Sequence, residues 1–332
     1  MAIGFGWAGA GSTTLYIESP LEDTVSELAW SPRANALAAS SWDGQTRIWD
    51  VGASGAAPKA YVAHDGPALT CTWTPDGSSV VSGGADTFAR LVDVNTNAKR
   101  EVAKHEEPIK AVRFVVCTGG TVLVTGSWDR TIKYWDLRQQ QPIGVLDIGE
   151  KCYAMDAMAN NIVVATSNRK IHYINANNPA TISETINSPL KFQSKSLAIF
   201  PGNDGFALGS IEGRVAIQYF VEGTKKNFAF RCHRTTKVIN TVNCLAFNPV
   251  AKTFATGGGD GEIDIWDKDK RSKLTSWTDL GNAVTAMGYN SEGTHLAYAT
   301  GYDWSLGSTG MDPSKKPKIA IRKLRKDEKY CR

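Results

Sequence analysis

Short stretches of alternating apolar and polar residues recur along the whole chain. The alternation is clear in Val25–Trp30 (VSELAW), Thr46–Asp50 (TRIWD) and Glu262–Asp267 (EIDIWD). A period of two residues is typical of a strand that buries one face. Turn signals separate such stretches, among them Pro-Asp-Gly at 75–77 and Ser-Glu-Gly at 291–293. The pattern predicts an all-β chain of short strands joined by tight turns.

Some of these strands belong to a repeated segment, in which a turn aspartate stands seven residues before a closing aspartate. Clear copies occupy 41–50, 84–93, 127–136 and 258–267, and degenerate copies occupy 166–175 and 210–219. Their apolar anchors recur every 39 to 47 residues, at Trp49, Val92, Trp135, Ile174, Tyr219 and Trp266. This spacing brackets the WD-repeat period of about 40–45 residues, with one four-stranded blade per repeat.

A seventh copy begins at Ala283 and carries an insertion from about Ser305 to Pro317 before its last strand. Seven copies close a ring, so residues 12–324 are predicted to form a seven-bladed WD-repeat β-propeller. The last copy lacks a fourth strand, and we expect residues 12–18 to supply it, which closes the ring and leaves only short edges. Residues 1–11 are predicted to be a flexible segment, and residues 325–332 a basic surface tail.

Five aspartates precede the third strand of their blades: Asp43, Asp86, Asp129, Asp260 and Asp303. His64 and His105 lie about two dozen residues before Asp86 and Asp129, a spacing that resembles the Gly-His to Trp-Asp pairing of WD repeats. The resemblance implies that the aspartates fix tight turns through hydrogen bonds and that each histidine is buried beside its aspartate. We therefore interpret both histidines as structural.

Net charge and cysteine content limit the classes of function open to the chain but do not identify one. The 332 residues carry 37 Lys and Arg against 33 Asp and Glu, a net charge of +4. This mild excess permits a local nucleic-acid-binding patch but is far below that of a dedicated DNA-binding domain. No C-x-x-C pair occurs, so free thiols are expected. No apolar run reaches the roughly 18 residues of a membrane span, so we expect a soluble intracellular protein without a membrane partner.

No catalytic motif is present. The chain lacks G-x-S-x-G, H-E-x-x-H and G-x-x-x-x-G-K-[ST] sequences. The glycine-rich stretch 257–261 precedes a strand, so it lacks the helix N-terminus that phosphate-binding loops use. We predict a protein that is not an enzyme and has no cofactor, metal or small-molecule substrate.

The alternative to catalysis is binding by loops held on a rigid frame. Trp42 and Trp128 directly precede turn aspartates, where they can be exposed on a ring face and serve as interface hot spots; packing between blades is the other interpretation. Trp49, Trp135 and Trp266 lie within strands and are expected in the core.

Long strings outside the repeat pattern resemble the messenger-RNA export factor family of nuclear-pore-associated propellers, over about Thr13 to Lys323. They are Gly205–Tyr219, Asn227–Arg234, Ser188–Gln193, Trp266–Leu274 and Tyr302–Ser305. The related mitotic checkpoint propeller shares I-E-G-R-V-A and C-H-R, so these two strings do not discriminate. The strings F-A-L-G-S, W-D-K-D-K-R-S-K-L and Y-D-W-S resemble the export factor.

The resemblance implies a peptide partner and a cellular location. Both families hold a GLEBS segment on the propeller face; in the export factor it belongs to a phenylalanine-glycine nucleoporin, at the nuclear pore and in the nucleus, with shuttling to the cytoplasm. Arg214 matches the arginine that would bind a peptide carboxylate bidentately, and Trp42 and Trp128 match the face tryptophans. An ion pair with Glu212 is the alternative for Arg214, since E-x-R on a strand places both side chains on one face.

A second implied site is a basic groove for single-stranded RNA or competing peptides. Its matching residues are Phe230, Trp266, Asp267, Arg271 and Lys273. Cations beside rings suit single strands because phosphates meet the cations and bases stack on the rings. In the alternative, the aromatic residues are core and the loop is only solvated. Two other functions stay open: a checkpoint scaffold that binds a kinase peptide, and a substrate receptor of a ubiquitin ligase.

Overall fold

The computed structural model describes residues 14–17, 21–53, 55–221, 223 and 226–329. Their 28 strands form seven antiparallel sheets of four strands each, which confirms the predicted seven-bladed propeller. The segment predicted as a flexible N-terminus, residues 1–11, lies outside the described residues. Among the described residues, no helix is long and apolar enough to cross a membrane.

The strands are numbered in chain order. They are β1 Thr14–Ile17; in blade 1, β2 Val25–Trp30, β3 Ala36–Ser41, β4 Gln45–Gly52 and β5 Gly55–Ala63; in blade 2, β6 Ala68–Trp73, β7 Ser79–Gly84, β8 Phe88–Asp93 and β9 Lys99–Lys104; in blade 3, β10 Ile109–Cys117, β11 Gly120–Ser127, β12 Thr131–Trp135 and β13 Gly144–Asp147. Blade 4 has β14 Cys152–Met158, β15 Asn161–Thr166, β16 Lys170–Asn175 and β17 Glu184–Asn187; blade 5 has β18 Ser194–Ile199, β19 Gly205–Ser210, β20 Arg214–Tyr219 and β21 Phe228–Arg231. Blade 6 has β22 Val242–Phe247, β23 Phe254–Gly258, β24 Ile263–Asp267 and β25 Ser272–Trp277; blade 7 has β26 Val284–Tyr289, β27 His295–Thr300 and β28 Lys318–Lys323.

Within each blade the chain steps outwards, from an innermost first strand to an outermost fourth strand. The second strand is buried throughout its length in β3, β7 and β19, because neighbouring blades pack on both of its sides. The first strands of neighbouring blades lie against one another around a central channel. All turns between second and third strands therefore project from one end of the ring, here termed the turn face.

The N-terminal strand closes the ring, as predicted. β1 pairs antiparallel with β28, with Tyr16 opposite Ala320, and so becomes the outer strand of blade 7. Leu15 and Ile17 are buried in one cluster with Trp49 of blade 1, whereas Tyr16 is exposed. The alternation of β1 thus ties the last blade to the first.

The predicted anchors occupy equivalent positions. Trp49, Val92, Trp135, Ile174, Tyr219 and Trp266 all lie near the ends of third strands, in blades 1 to 6. Trp49 and Trp135 are buried, at 2% and 3% exposure, but Trp266 is only half-buried. Its ring therefore has one side in the core and one side available to a ligand.

A side-chain network joins the strands of blade 3. His105 Nδ1 lies 2.8 Å from Asp129 Oδ2, and His105 Nε2 lies 2.6 Å from Thr125 Oγ1. Trp135 Nε1 donates to the same Thr125 oxygen at 2.9 Å. Asp129 Oδ1 accepts the backbone N–H of Thr131 at 2.9 Å. The network fixes the turn that carries Trp128.

Blade 2 has a similar network without a tryptophan. His64 Nδ1 lies 2.9 Å from Asp86 Oδ1, and His64 Nε2 lies 2.6 Å from Ser82 Oγ. Val92 stands at the tryptophan position, and Arg90 forms an ion pair with Asp86.

Blade 6 contains a network that sequence reasoning missed. His233 Nδ1 lies 3.0 Å from Asp260 Oδ1, His233 Nε2 lies 2.7 Å from Thr256 Oγ1, and Trp266 Nε1 donates to that oxygen at 3.0 Å. The separation of 27 residues between His233 and Asp260 was the available signal.

The remaining two turn aspartates differ from each other. Asp43 accepts the backbone N–H of Gln45 at 3.0 Å and pairs with Arg47 at 2.8 Å. Asp303 accepts the backbone N–H of Ser305 at 3.1 Å, as Asp43 does with Gln45, and also the side-chain amide of Asn243, in blade 6, at 3.2 Å. The expectation that it directly precedes its third strand is wrong, because β27 ends at Thr300 and β28 begins only at Lys318.

The C-terminal segment is not a free surface tail at its start. Residues Lys326–Lys329 form a short helix, α1, and Glu328 is 1% exposed. The Glu328 carboxylate accepts hydrogen bonds from Arg322 at 2.8 Å, from Arg325 at 3.1 Å and from the Trp277 indole at 3.0 Å. Sequence reasoning missed this because the charged residues of the segment are consistent with solvation.

Candidate peptide-binding face and aromatic–basic surface

A cavity of about 390 Å³ opens on the turn face, above the central channel. Trp42 and Trp128, which the sequence singled out, both line it. The two tryptophans belong to the turns of blades 1 and 3, and only the ring brings them together. Trp42 is 44% exposed, and the Trp128 ring has Lys151 Nζ 6.0 Å from its centre. This space is termed the channel-mouth cavity.

The connection between β27 and β28 in blade 7 adds a third aromatic wall. Tyr302 and Trp304 line the channel-mouth cavity, and their ring centres are 5.6 Å apart. Trp304 is 41% and Leu306 is 72% exposed. Sequence reasoning used Y-D-W-S only as a family signature and missed its place in the site. The signal was an aromatic pair directly before the insertion, on the face that carries the other tryptophans.

Arg214 lies on the same face but does not line the cavity. It begins β20, and its side chain is 32% exposed. Its Nε lies 3.4 Å from Glu212 Oε2, so the ion pair considered as an alternative is present. Glu212 Oε1 also accepts the backbone N–H of Lys191 at 3.1 Å. Arg214 is thus held in a defined direction while part of its guanidinium stays accessible.

Basic residues line the cavity wall. Lys110 lies on β10 and Lys195 lies on β18. Both side chains line the channel-mouth cavity and the channel below it. Burial lowers the pKa of Lys110, and the charge of Lys195 lowers it further. The aromatic walls therefore surround a region with two ammonium groups.

Four of the five predicted RNA residues form a row on the outer part of blades 5 and 6, together with Phe228, which was not predicted from the sequence. Phe230 and Trp266 have ring centres 4.6 Å apart, and Phe228 lies 6.3 Å from Phe230. Arg271 lies over the Phe228 ring at 4.3 Å, and Lys273 Nζ lies 5.7 Å from the Trp266 ring centre. These five residues are termed the aromatic–basic surface. It is a continuous row of three rings with a cation at each end.

Two features qualify the prediction for this surface. Phe228, Phe230 and Trp266 also pack on the core cluster between blades 5 and 6, so the structural interpretation holds for one side of each ring. Asp267 accepts the backbone N–H groups of Asp269 and Lys270 at 2.9 and 3.0 Å. Its carboxylate shapes the turn that carries Arg271, and it is not part of the ring row.

The buried histidines are not arranged for proton transfer to a ligand. Burial lowers the pKa of His64 and of His105, and the aspartate beside each ring only partly opposes this. Each ring is therefore neutral near pH 7, with one nitrogen facing an aspartate and the other a hydroxyl. These side chains stabilise turns.

The chain matches a known family model and is similar in sequence to several named proteins. The family model for the WD domain, G-beta repeat, matches residues 14–50, 57–93, 98–136 and 225–267. A poly(A)+ RNA export protein of Schizosaccharomyces pombe is 43% identical over 94% of this chain and 91% of its own length. The mRNA export factor GLE2 of Chaetomium thermophilum is 38% identical, over 93% of this chain and 90% of its own. Protein Rae1 of Drosophila melanogaster is 41% identical, over 92% of each chain.

Proposed function

Because the chain belongs to the WD-repeat family of messenger-RNA export factors, we propose that it is a non-enzymatic adaptor in the nuclear export of messenger RNA. In this proposal it binds the acidic GLEBS segment of a phenylalanine-glycine nucleoporin on the turn face and so works in the nucleus and at the nuclear pore. The observation that carries the proposal is the channel-mouth cavity, where Trp42, Trp128 and Trp304 surround lysine side chains.

The chemistry of the turn face suits an acidic peptide. Exposed tryptophans provide large apolar contacts at low cost in conformational entropy, and the lysines attract carboxylates towards the recess. The three tryptophans come from blades 1, 3 and 7, so a peptide that touches all of them lies across the centre of the ring. Because closed blades hold these positions, the frame changes little when a peptide binds.

Arg214 can exchange its partner on binding. Its contact with Glu212 at 3.4 Å is half-exposed, and ion pairs of this kind contribute about 0–1 kcal/mol. A peptide carboxylate that binds the guanidinium bidentately would be stronger. We expect Arg214→Ala to weaken peptide binding by roughly 2–5 kcal/mol if that ion pair is desolvated.

Calorimetric titration with a nucleoporin GLEBS peptide tests the peptide site. Arg33→Ala, on the opposite end of blade 1, where the side chain donates to the carbonyl of Pro75, is the matched control and should leave affinity unchanged. A change of less than a few tenths of a kcal/mol for Arg214→Ala would remove Arg214 from the site. Preference for a checkpoint-kinase peptide would support a checkpoint scaffold instead, and co-purification with ligase subunits would support a substrate receptor.

Single-stranded RNA is the second proposed ligand, at the aromatic–basic surface. Arg271 and Lys273 are exposed at the two ends of the ring row. Stacking of a base on an aromatic side chain contributes about 1–3 kcal/mol and tolerates any sequence. We expect weak sequence preference and strong salt dependence, measurable by fluorescence anisotropy with a labelled oligonucleotide.

A further inference from the structure

The connection between blades 4 and 5 contains a Ser-Pro pair that differs from the others in the chain. Ser-Pro or Thr-Pro pairs occupy residues 19–20, 31–32, 74–75 and 188–189. Only Ser188 also has a basic residue, Lys191, at the third position after the hydroxyl residue. A proline directly after a serine, followed two residues later by a lysine or arginine, is the pattern that proline-directed protein kinases recognise. The residues 188–191 therefore form a candidate phosphorylation segment.

The same pair is the accessible one among those that the structure describes. Ser31 and Thr74 are buried, at 1% and 8% exposure. Ser188 is half-buried, and Pro189 and Lys191 are exposed. Ser188 directly follows β17, and the next strand begins only at Ser194. Residues 188–193, here termed the Ser188 loop, are thus outside regular structure, which favours binding in the cleft of another protein.

The Ser188 hydroxyl is weakly engaged in the folded chain. Its Oγ accepts the backbone N–H of Leu190 at 3.2 Å. It makes no other hydrogen bond among the described residues, so its hydroxyl hydrogen is available for transfer to a base. The backbone N–H of Ser188 donates to the carbonyl of Arg169 at 2.7 Å. This bond fixes the residue at the turn face, beside the turn of blade 4.

Cations lie beside the Ser188 turn. Arg169 Nη1 donates to the carbonyl of Lys191 at 3.0 Å, and Lys170 lies opposite Asn187 in the pairing of β16 with β17. Arg169, Lys170 and Lys191 are exposed, and none of them forms an ion pair with a carboxylate among the described residues. A phosphoserine carries a charge of about −1.5 to −2 and three strong acceptor oxygens. These cations can therefore accommodate a phosphate at Ser188 without unfolding of the loop.

The Ser188 loop also borders the proposed peptide surface. The backbone N–H of Lys191 donates to Glu212 Oε1 at 3.1 Å, and Glu212 Oε2 lies 3.4 Å from Arg214 Nε. At the inner end of the loop, Gln193 lines the channel-mouth cavity. A phosphate at Ser188 would thus add negative charge, and occupy cations, on the face that we propose receives an acidic peptide. Like charges on two partners oppose their association.

We propose that Ser188 is a phosphorylation site and that its phosphate weakens the binding of an acidic peptide to the turn face. The regulatory part rests on the proposed peptide function, whereas the modification itself does not. In the transfer, Ser188 Oγ attacks the γ-phosphorus of ATP held by a proline-directed kinase. The bond from that phosphorus to the bridging oxygen breaks, ADP leaves, and the hydroxyl proton passes to the aspartate base of the kinase. The propeller is the substrate and supplies no catalytic group.

Incubation of the full chain with magnesium-ATP and a proline-directed serine kinase tests the modification. Mass spectrometry should locate a phosphate on Ser188 and none on Ser31 or Thr74. Ser188→Ala should lose this phosphate. Ser183→Ala, which changes an exposed serine with no proline after it, should retain it. An unmodified Ser188 in the folded chain, while the same kinase modifies a peptide of residues 184–195, overturns the proposal, because the fold then withholds the serine.

Calorimetry with the acidic GLEBS peptide tests the regulation. At low ionic strength the phosphorylated chain should bind about three- to tenfold more weakly than the unmodified chain, and added sodium chloride should reduce the difference by screening. Phosphatase treatment should restore the affinity, and kinase-treated Ser188→Ala should bind like the unmodified chain. Equal affinity with Ser188 fully phosphorylated overturns the regulatory part. An unmodified chain that does not bind the peptide overturns the proposed peptide function and the regulation together, and the mass spectrum alone then decides the modification site.

Discussion

At the residue scale, the histidine networks work only while their rings are neutral. In blade 3, Thr125 accepts from Trp135 and can then donate its hydroxyl hydrogen to His105 Nε2, which leaves Nδ1–H to donate to Asp129. One neutral tautomer thus satisfies every partner. Each partner comes from a different strand or connecting loop. The hydrogen bonds of the network therefore fix the position of the whole turn at Asp129.

The histidine pKa values predict a loss of stability on mild acidification. Burial lowers the folded-state pKa of His64 and His105 below 6.5, so the unfolded chain binds protons first as pH falls. The stability contributed by the neutral rings is present above pH 6.5 and is lost as pH falls towards the folded-state values. Urea midpoints should be lower at pH 5.5 than at pH 7.5. The lowered pKa values of Asp86 and Asp129 act below about pH 4, outside this window.

The variant His105→Gln checks that assignment. It should be less stable at pH 7.5, because the bonds to Asp129 and Thr125 are weakened, and its midpoint should change less between the two pH values. An identical pH dependence in variant and parent would show that His105 does not contribute.

Gly84 is required by the same network in blade 2. A Cβ atom at this position would collide with the His64 ring and the Asp86 carboxylate. We expect Gly84→Ala to lower the free energy of unfolding by about 1–3 kcal/mol, the usual cost of overpacking. Gly119→Ala is the control, since a Cβ atom there meets nothing within 4 Å. Urea denaturation measures both, and equal stability of the two variants would contradict the argument.

At the element scale, the first and last described elements, β1 and α1, are held by neighbouring elements rather than by their own sequence. β1 has only four residues, and its stability comes from pairing with β28 and burial of Leu15. The helix α1 is equally short and contains no apolar residue. It is held by Glu328, whose carboxylate meets Arg322 and Trp277 from β28 and β25.

Glu328→Ala should therefore release the C-terminal helix and destabilise blades 6 and 7. Removing one member of a buried ion pair leaves an uncompensated charge, which typically costs about 3–5 kcal/mol. Asp327→Ala removes an exposed carboxylate 3.8 Å from Arg325 and should cost less than about 1 kcal/mol. Thermal melting, together with proteolysis near the C-terminus, would detect the difference. Equal melting curves of Glu328→Ala and Asp327→Ala would show that Glu328 does not hold the C-terminal helix in place.

Sequence predicted the elements better than the contacts between them. The two-residue period and the anchors Trp49 and Trp135 define strands and their order, because both signals are local. Trp42 and Trp128 could be predicted as site residues because each precedes a turn aspartate. The cavity lysines Lys110 and Lys195 could not, since each lies near the start of a separate inner strand and only ring closure brings them to one cavity. Likewise, Glu328 accepts a hydrogen bond from Trp277, which lies 51 residues earlier in the chain. No local sequence pattern predicts a contact between residues so far apart in the chain.

At the scale of the whole molecule, the two proposed binding surfaces occupy different parts of one rigid ring. The channel-mouth cavity lies on the axis and is lined by residues of all seven blades, whereas the aromatic–basic surface lies on the outer strands of blades 5 and 6. Separate buried clusters lie between successive blades. The proposed peptide and the proposed RNA strand therefore do not compete for the same residues.

This separation predicts independent effects of mutation. Trp42→Ala should weaken peptide binding by at least about 2 kcal/mol, as expected of a central aromatic hot spot, and leave RNA affinity unchanged. The double variant Arg271→Ala, Lys273→Ala should do the reverse. It should also reduce the slope of log affinity against log salt by about 1.4, because two contacts to a single strand are lost. Combining all three substitutions should give the sum of the separate effects within about 0.5 kcal/mol. Calorimetry with peptide and anisotropy with RNA measure the two affinities. A Trp42→Ala chain that loses RNA binding would mean that the two ligands share one surface, and the adaptor would then have to exchange its partners instead of joining them.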